Sequence, residues 1–284
     1  MTRRKTELPR GILKTAVADR RRYEHARYYP SPDLEPYVEH YWSVQWDLRG
    51  LAAERVETLP HPSVHMVFEH NAGGRVAGVA RGKFVRLLEG EGGVLGVKFR
   101  PGGFYPFAGV SIATLADATV SLAHIFGAEG SALERAVVAE ATDASRITVI
   151  EDFLRRRRPA PDETVPRIAE IVYAVAADRS ILKVDDLVGR YGMNKRTLQR
   201  LFAKYVGVSP KWVIQRYRLH EAAERLASDP SPSQSALALL LGYSDQAHFV
   251  RDFKTIVGAS PAAYARQARP GPGPVRAEPD RFVE

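Results

Sequence analysis

The hydrophobic pattern of the chain changes period partway along its length. Over residues 41–48 it alternates, with Trp42, Val44, Trp46 and Leu48 on one side and Tyr41, Ser43, Gln45 and Asp47 on the other. A period of two predicts a half-buried strand. Residues 64–69 and 94–99 read the same way, and the glycine clusters Asn71-Ala72-Gly73-Gly74 and Gly90-Glu91-Gly92-Gly93 punctuate them as turns. The stretch 37–100 is therefore expected to be a mostly antiparallel β unit. Beyond Arg100-Pro101-Gly102-Gly103 the spacing becomes helical, over 115–126, 133–141 and 147–158. The run Arg155–Arg158 reads as a solvated helix end, where cations suit the C-terminal dipole, and Pro159-Ala160-Pro161 then breaks the chain. From there to about residue 266 the pattern stays helical, before the Pro/Gly-rich stretch 270–274. The fold class expected is α+β: an N-terminal β-rich sheet or partial barrel with following helices, then an all-α C-terminal part.

The helical part repeats itself. Val206-Gly207-Val208-Ser209-Pro210 returns 51 residues later as Val257-Gly258-Ala259-Ser260-Pro261, and the same shift sets Leu198 on Phe249, Arg200 on Arg251 and Phe202 on Phe253. Two copies of one small module are implied. Each has the grammar of a helix-turn-helix. In the first, a short helix over 184–191 ends at Gly192, a residue able to take the positive φ of a tight turn. Asn194 then caps a second helix. In that helix Leu198, Leu201, Phe202 and Tyr205 form a buried stripe, and Lys195, Arg196, Gln199 and Arg200 lie opposite. In the second copy Gly242 makes the turn, Ser244 is expected to cap, and Phe249 and Phe253 point inward, leaving His248, Arg251 and Gln246 outside. Between the copies Ser209 caps, and Pro210 opens, a helix reaching about residue 226. Such a rod is about 27 Å long. It could brace two recognition helices about 34 Å apart, one turn of B-DNA.

Arg reads guanine bidentately, Gln reads adenine, and Lys suits phosphates. One amphipathic helix with a polar face would mean little; two in register, each behind a glycine turn and a cap, mean more. The expected base readers are Arg196, Gln199, Arg200, His248 and Arg251, with Lys195, Lys204 and Lys254 on phosphates. Charge agrees with a polyanionic partner. The net +8 is concentrated in residues 1–22 and 181–268, each carrying +6, while 23–180 carries −4. Residues 1–22 read as a flexible basic arm, 23–158 as a sensor or effector domain, 159–163 as a linker, 164–268 as the double helix-turn-helix domain and 269–284 as a disordered tail.

Residues 181–266 resemble the DNA-binding domain of the AraC/XylS family of bacterial transcriptional regulators. The likeness rests on Leu241-Gly242-Tyr243-Ser244-Asp245-Gln246-Ala247-His248-Phe249, Arg251-Asp252-Phe253-Lys254 and Gly258-Ala259-Ser260-Pro261-Ala262-Ala263-Tyr264. In the first copy Leu198-Gln199-Arg200-Leu201-Phe202 and Gly207-Val208-Ser209-Pro210 carry it. The resemblance implies base contacts from Arg196, Gln199, Arg200, Ala247, His248 and Arg251. Two departures stand out: Val188 replaces a usual small Ala, and Leu237-Ala238-Leu239-Leu240-Leu241 is more apolar than the family pattern. More weakly, Pro32, Leu34, Tyr37-Val38, Tyr41-Trp42 and 97–103 resemble a sensor-type domain placed ahead of this DNA-binding domain. Duplex DNA is the partner implied, with RNA polymerase a second one and a small molecule or protein as effector; no cofactor is called for.

The competing class is an enzyme, or a partner-binding module, housed in 23–160. His61, His65 and His70 are its most suggestive cluster, but His65 and His70 at odd spacing would face opposite sides of a strand. A metal site is not expected. No Gly-rich phosphate loop, Gly-x-Ser-x-Gly elbow or His-Glu-x-x-His helix is present. The absence of cysteine removes zinc fingers, thiol nucleophiles and cysteine-based repair of alkylated DNA, a role some family members have. A sequence-indifferent architectural DNA binder would not need matched Gln and Arg at reading positions. An effector pocket, if present, is expected at Trp42, Trp46, Phe68 and Phe99, although hydrophobic core is the competing role for these four. No run of 18 apolar residues exists, and Met1-Thr2-Arg3-Arg4-Lys5 is not followed by an apolar segment, so a cytoplasmic location is expected.

Overall fold

A computed structural model describes residues 3–4, 12–13, 23–59, 61–69, 72–228 and 233–268. Among these residues ten strands precede most of the helices. They are β1 (Arg3–Arg4), β2 (Ile12–Leu13), β3 (Tyr23–Tyr28), β4 (Val38–Leu48), β5 (Glu54–Thr58), β6 (His65–Glu69), β7 (Gly73–Ala77), β8 (Phe84–Leu88), β9 (Gly90–Phe99) and β10 (Thr119–Ser121). The larger sheet runs β1-β3-β4-β9-β6-β7-β10 and the smaller β2-β5-β8, and every pair between them is antiparallel. The arm 1–22 touches the sheets at β1 and β2; the rest of it, and the tail 269–284, lie outside the described residues.

Register explains both faces of the large sheet. Tyr41 sits opposite Val97, which sits opposite Met66; all three are fully buried, beneath the helices that follow the sheet. The opposite face carries Trp42 and Trp46, each directly across from a glycine, Gly96 and Gly92. A Cβ on either glycine would run into the facing indole. The glycine cluster 90–93 expected to be a turn is instead strand, paired with β4 along its whole length: Gly90 takes φ 56°, and Gly92 makes room for a ring. The smaller sheet is tied to this indole face. The Arg86 guanidinium lies 5.4 Å from the Trp46 ring centre, Arg86 also pairs with Glu69, and the Tyr23 hydroxyl donates to Glu54.

Six helical segments connect the sheet to the C-terminal part: α1 (Tyr105–Ala108), a 3-10 turn (Ile112–Leu115), α2 (Leu122–Phe126), α3 (Ala128–Ala139), α4 (Asp143–Arg156) and α5 (Thr164–Ala177). The helix expected over 115–126 forms only over its second half, Leu122–Phe126. Asp117 takes φ 58° and β10 pairs with β7 instead, so tertiary pairing at the sheet edge overrides the local period. Nor is the Arg155–Arg158 run simply a solvated end. Arg155 bonds Asp33, Glu151 and Asp152, and Arg157 lies over the Phe126 and Phe153 rings. Both side chains fix α4 against its neighbours.

The remaining helices are α6 (Val184–Tyr191), α7 (Lys195–Leu201) running into a π turn (Phe202–Val206), α8 (Pro210–Ser228), α9 (Gln234–Leu240), α10 (Gln246–Val257) and α11 (Pro261–Ala268). Two hydrophobic cores result. One is continuous from Ala26 through Phe99, Phe104 and Ile112 to Leu198, Tyr205 and Ile214, so it merges the sheet, α5 and the first helix-turn-helix. The other holds Leu219, Leu226, Leu237, Phe249 and Phe253 of the second helix-turn-helix, together with Leu59 from the end of β5. Helix α8 passes from the first core into the second.

Candidate nucleic-acid interface

The two helix-turn-helix units are built by the same local devices. Helix α6 ends at Gly192, φ 61°, and the Asn194 side chain accepts from the Thr197 N–H at 2.8 Å, which caps α7. In the second unit Gly242 takes φ 80° and Asp245, not Ser244, caps α10, accepting from the His248 N–H at 2.8 Å. The 51-residue shift sets Asn194 on Asp245, whereas alignment on the turn glycines, Gly192 with Gly242, sets it on Ser244. Ser244 lies one position too early for its hydroxyl to reach an orphan N–H of the first turn.

Capping and burial together decide which sides face outward. In α7 Leu198 is fully buried and the π turn buries Phe202 and Tyr205, leaving Lys195, Arg196, Gln199 and Arg200 exposed. In α10 Phe249 and Phe253 are fully buried; Gln246, Ala247, Arg251 and Lys254 are exposed and His248 is half-buried. The side chains of Arg196, Gln199, Arg200, Arg251 and Lys254 make no hydrogen bond or ion pair with a described residue. Lys195 pairs loosely with Asp185 at 3.5 Å and His248 with Asp252 at 3.5 Å. Lys204 is placed differently. Its ammonium lies 4.8 and 5.3 Å from the Tyr105 and Tyr205 ring centres, and the hydrogen bond with Tyr105 raises its pKa. It belongs to the contact between the N-terminal unit and the first helix-turn-helix.

That contact is close. Ser111 donates to the Ala203 carbonyl at 3.3 Å, the Tyr205 hydroxyl donates to Asp162 at 2.6 Å, and Gly207, φ 92°, lies against Ile112. Helix α8, about 28 Å long for its 19 residues, is fixed by Arg218, which donates to the carbonyls of Val175 (2.7 Å) and Asp178 (3.2 Å) at the end of α5. Val188 is half-buried in α6. Leu237 and Ala238 are buried in the second core, while Leu239 and Leu240 of the same run are exposed.

The four aromatics expected to line one pocket are divided between the two faces of the large sheet. Trp42 and Trp46 face the smaller sheet. Phe99 packs at 4.9 Å on Phe104, and Phe68 lies with Leu122 over Gly74, both on the helix-covered side. They do not share a cavity, because the register sets Phe68 opposite Leu95 rather than opposite Gly96. An open cleft of about 460 Å³ lies elsewhere, between Glu24, Tyr28 and Gln45 and residues 141–144 at the start of α4. Of the three histidines, His65 Nδ1 accepts from Trp42 Nε1 at 3.3 Å, His61 stacks 5.4 Å from His220, and His70 lies outside the described residues. No three His, Asp or Glu among the described residues group as metal ligands. No described helix is long and apolar enough to cross a membrane.

Sequence reasoning gave no sign of Tyr105, Ser111 and Ile112 at the first helix-turn-helix, nor of Leu59 and Lys83 at the second, since nothing local marks a residue that acts across a domain contact.

Comparison with known proteins places these geometries. Residues 187–267 match a helix-turn-helix domain family, and residues 26–121 match a domain of unknown function, DUF6597. The probable transcription factor PqrA of Proteus vulgaris is 34% identical over 83 residues, 29% of this chain and 67% of that protein. The transcriptional activator AarP of Providencia stuartii is 35% identical over 83 residues, 29% of this chain and 61% of that protein. A probable AraC family transcriptional regulator of known structure, from Rhodopseudomonas palustris, is 27% identical and covers 35% of this chain and 94% of its own, with a TM-score of 0.32. The match spans only 29% of another curated relative, the raffinose operon regulator of Pediococcus pentosaceus. Two capped, glycine-turned units with exposed basic faces, and a match over two thirds of PqrA, lead to one assignment: the chain belongs to the AraC/XylS family of helix-turn-helix transcriptional regulators.

Proposed function

We propose that this chain regulates transcription by binding duplex DNA at a specific sequence, with α7 and α10 entering successive major grooves. Arg196, Gln199, Arg200, His248 and Arg251 read base edges; Lys195 and Lys254 hold phosphates. Lys204 is left out of the phosphate set because two tyrosine rings already engage it. The observation that carries this reading is the pair of helices presented alike. Each is capped by an Asx side chain and buried along one apolar stripe, and carries exposed arginines (Arg196 and Arg200 on α7, Arg251 on α10) that form no ion pair with a described residue. A cation left unpaired at a protein surface costs little there and gains much against a phosphate or a guanine edge.

The N-terminal unit is the place for an effector in this reading, either a small molecule or a protein, because its core is continuous with that of the first helix-turn-helix. RNA polymerase is the further partner. The site of action is the cytoplasm.

The test is selection of bound fragments from random duplex DNA, followed by Arg200→Ala and Lys254→Ala. The Arg200 variant is expected to lose about 1–3 kcal/mol at the selected site and to relax preference at one base pair. The Lys254 variant should weaken every sequence alike and reduce the salt slope by about one. Identical profiles for both variants on selected and scrambled DNA would refute the division into readers and anchors.

A further inference from the structure

The N-terminal unit meets the second helix-turn-helix at one corner of its smaller sheet. Leu59, just beyond β5, is 2% exposed and sits in the second core beside residues of α8, α9 and α10. Lys83, just before β8, reaches the C-terminal end of α10. Its Nζ is 2.6 Å from the point where a Cβ on Gly258 would lie. Gly258 is the C-cap of α10, at φ 82°, with its N–H bonded to the Lys254 carbonyl at 2.9 Å. The Lys83 ammonium is held in place from behind by both carboxylate oxygens of Glu57, at 3.1 and 3.0 Å.

A fixed cation at the carbonyl end of a helix is favourable, since the last turn carries the negative end of the dipole. Gly258 also lets the side chain approach, because any larger residue would occupy the same space. The position has leverage. Helix α10 has 12 residues, so it is about 18 Å long. A tilt of about 10° about its C-terminal end would move its first turn by roughly 3 Å, close to the 3.4 Å step between base pairs. His248 and Arg251 stand in that outer part of the helix.

We infer that Lys83, braced by Glu57, and Leu59 are positioning residues for the second recognition helix, and that they set the spacing between the two DNA half-sites the protein accepts. The inference rests on the reading of α7 and α10 as DNA-reading helices. None of the three residues touches DNA; they act through α10.

The experiment uses the full chain and the DNA sequence it selects, with one or two base pairs inserted or removed between the two halves. For the wild type, each altered spacing is expected to cost roughly tenfold or more in affinity, comparable with a mismatched position. Lys83→Ala and Glu57→Gln should flatten that dependence to within about threefold while each half alone binds as before, and Lys83→Arg should restore it. Leu59→Ala should act in the same direction, with thermal melting used to exclude an unfolded sample. A Lys83→Ala protein that keeps the sharp spacing preference, or weakens all spacings equally, overturns the inference and leaves the DNA-reading assignment standing. A wild-type protein that shows no spacing preference at all overturns both.

Discussion

At the residue scale, Asp245 and His65 show how one side chain's partner fixes its role. Asp245 was legible as a residue but not as a cap, because Ser244 beside it is an equally good capping type. Only the backbone position, one residue before α10, separates them. Asp245→Ala is therefore expected to cost about 1 kcal/mol in chemical denaturation and Ser244→Ala close to nothing. His65 is held neutral. Burial, reinforced by the nearby Lys98 charge, pushes its pKa down to about 3, and its Nδ1 lone pair accepts the Trp42 N–H. A base with a depressed folded pKa binds its proton more readily once unfolded. Stability from this group is thus complete above the unfolded value near 6.5 and falls as pH drops below it. The expected slope is about 1.4 kcal/mol per pH unit between pH 6 and 4 for this one group. Denaturation midpoints of the wild type and His65→Asn across that window check it; parallel slopes would count against a neutral His65.

At the element scale, glycines decide what the strands and turns can do. The alternation over 41–48 was read correctly as a strand, yet nothing in it showed that Gly92 and Gly96 would lie under Trp46 and Trp42, because that pairing is set by the β4–β9 register. The helix-turn-helix glycines were legible, but not their unequal contacts. Gly192 and Gly207 both have positive φ, 61° and 92°. A Cβ at Gly192 meets nothing within 4 Å, whereas one at Gly207 comes within 2.8 Å of Ile112 side chain and backbone. Gly192→Ala should cost about 1–2 kcal/mol, the backbone penalty alone. Gly207→Ala should cost more, and should also loosen the contact between the N-terminal unit and the first helix-turn-helix. Melting temperatures of the two variants, compared with limited proteolysis near residue 110, test the difference.

At the scale of the whole molecule, the division into domains follows the chain less closely than the sequence suggests. The break at Pro159–Pro161 marks a linker in the sequence, but one hydrophobic core crosses it and takes in the first helix-turn-helix. The second unit has its own core, and Leu59 is the one residue preceding α8 within it among the described residues. Hydrogen exchange is expected to show α5, α7 and the large sheet opening together, and α9 with α10 opening separately at lower free energy. A fragment of residues 162–268 should accordingly keep protection in α10 better than in α7. Equal protection of both helices in that fragment would mean that the shared core adds little to the first unit.

The sequence alone determined the two modules and their outward chemistry, because caps, glycine turns and apolar stripes act within a dozen residues and are repeated here at a fixed interval. The α+β order of the chain was readable for the same reason. Long-range pairing decided the rest: β10 displaced the first half of a helix, the register put four aromatics on opposite faces, and a lysine before β8 met a glycine 175 positions further on. Such contacts depend on how finished elements pack, and packing leaves no periodic trace in the residues that take part.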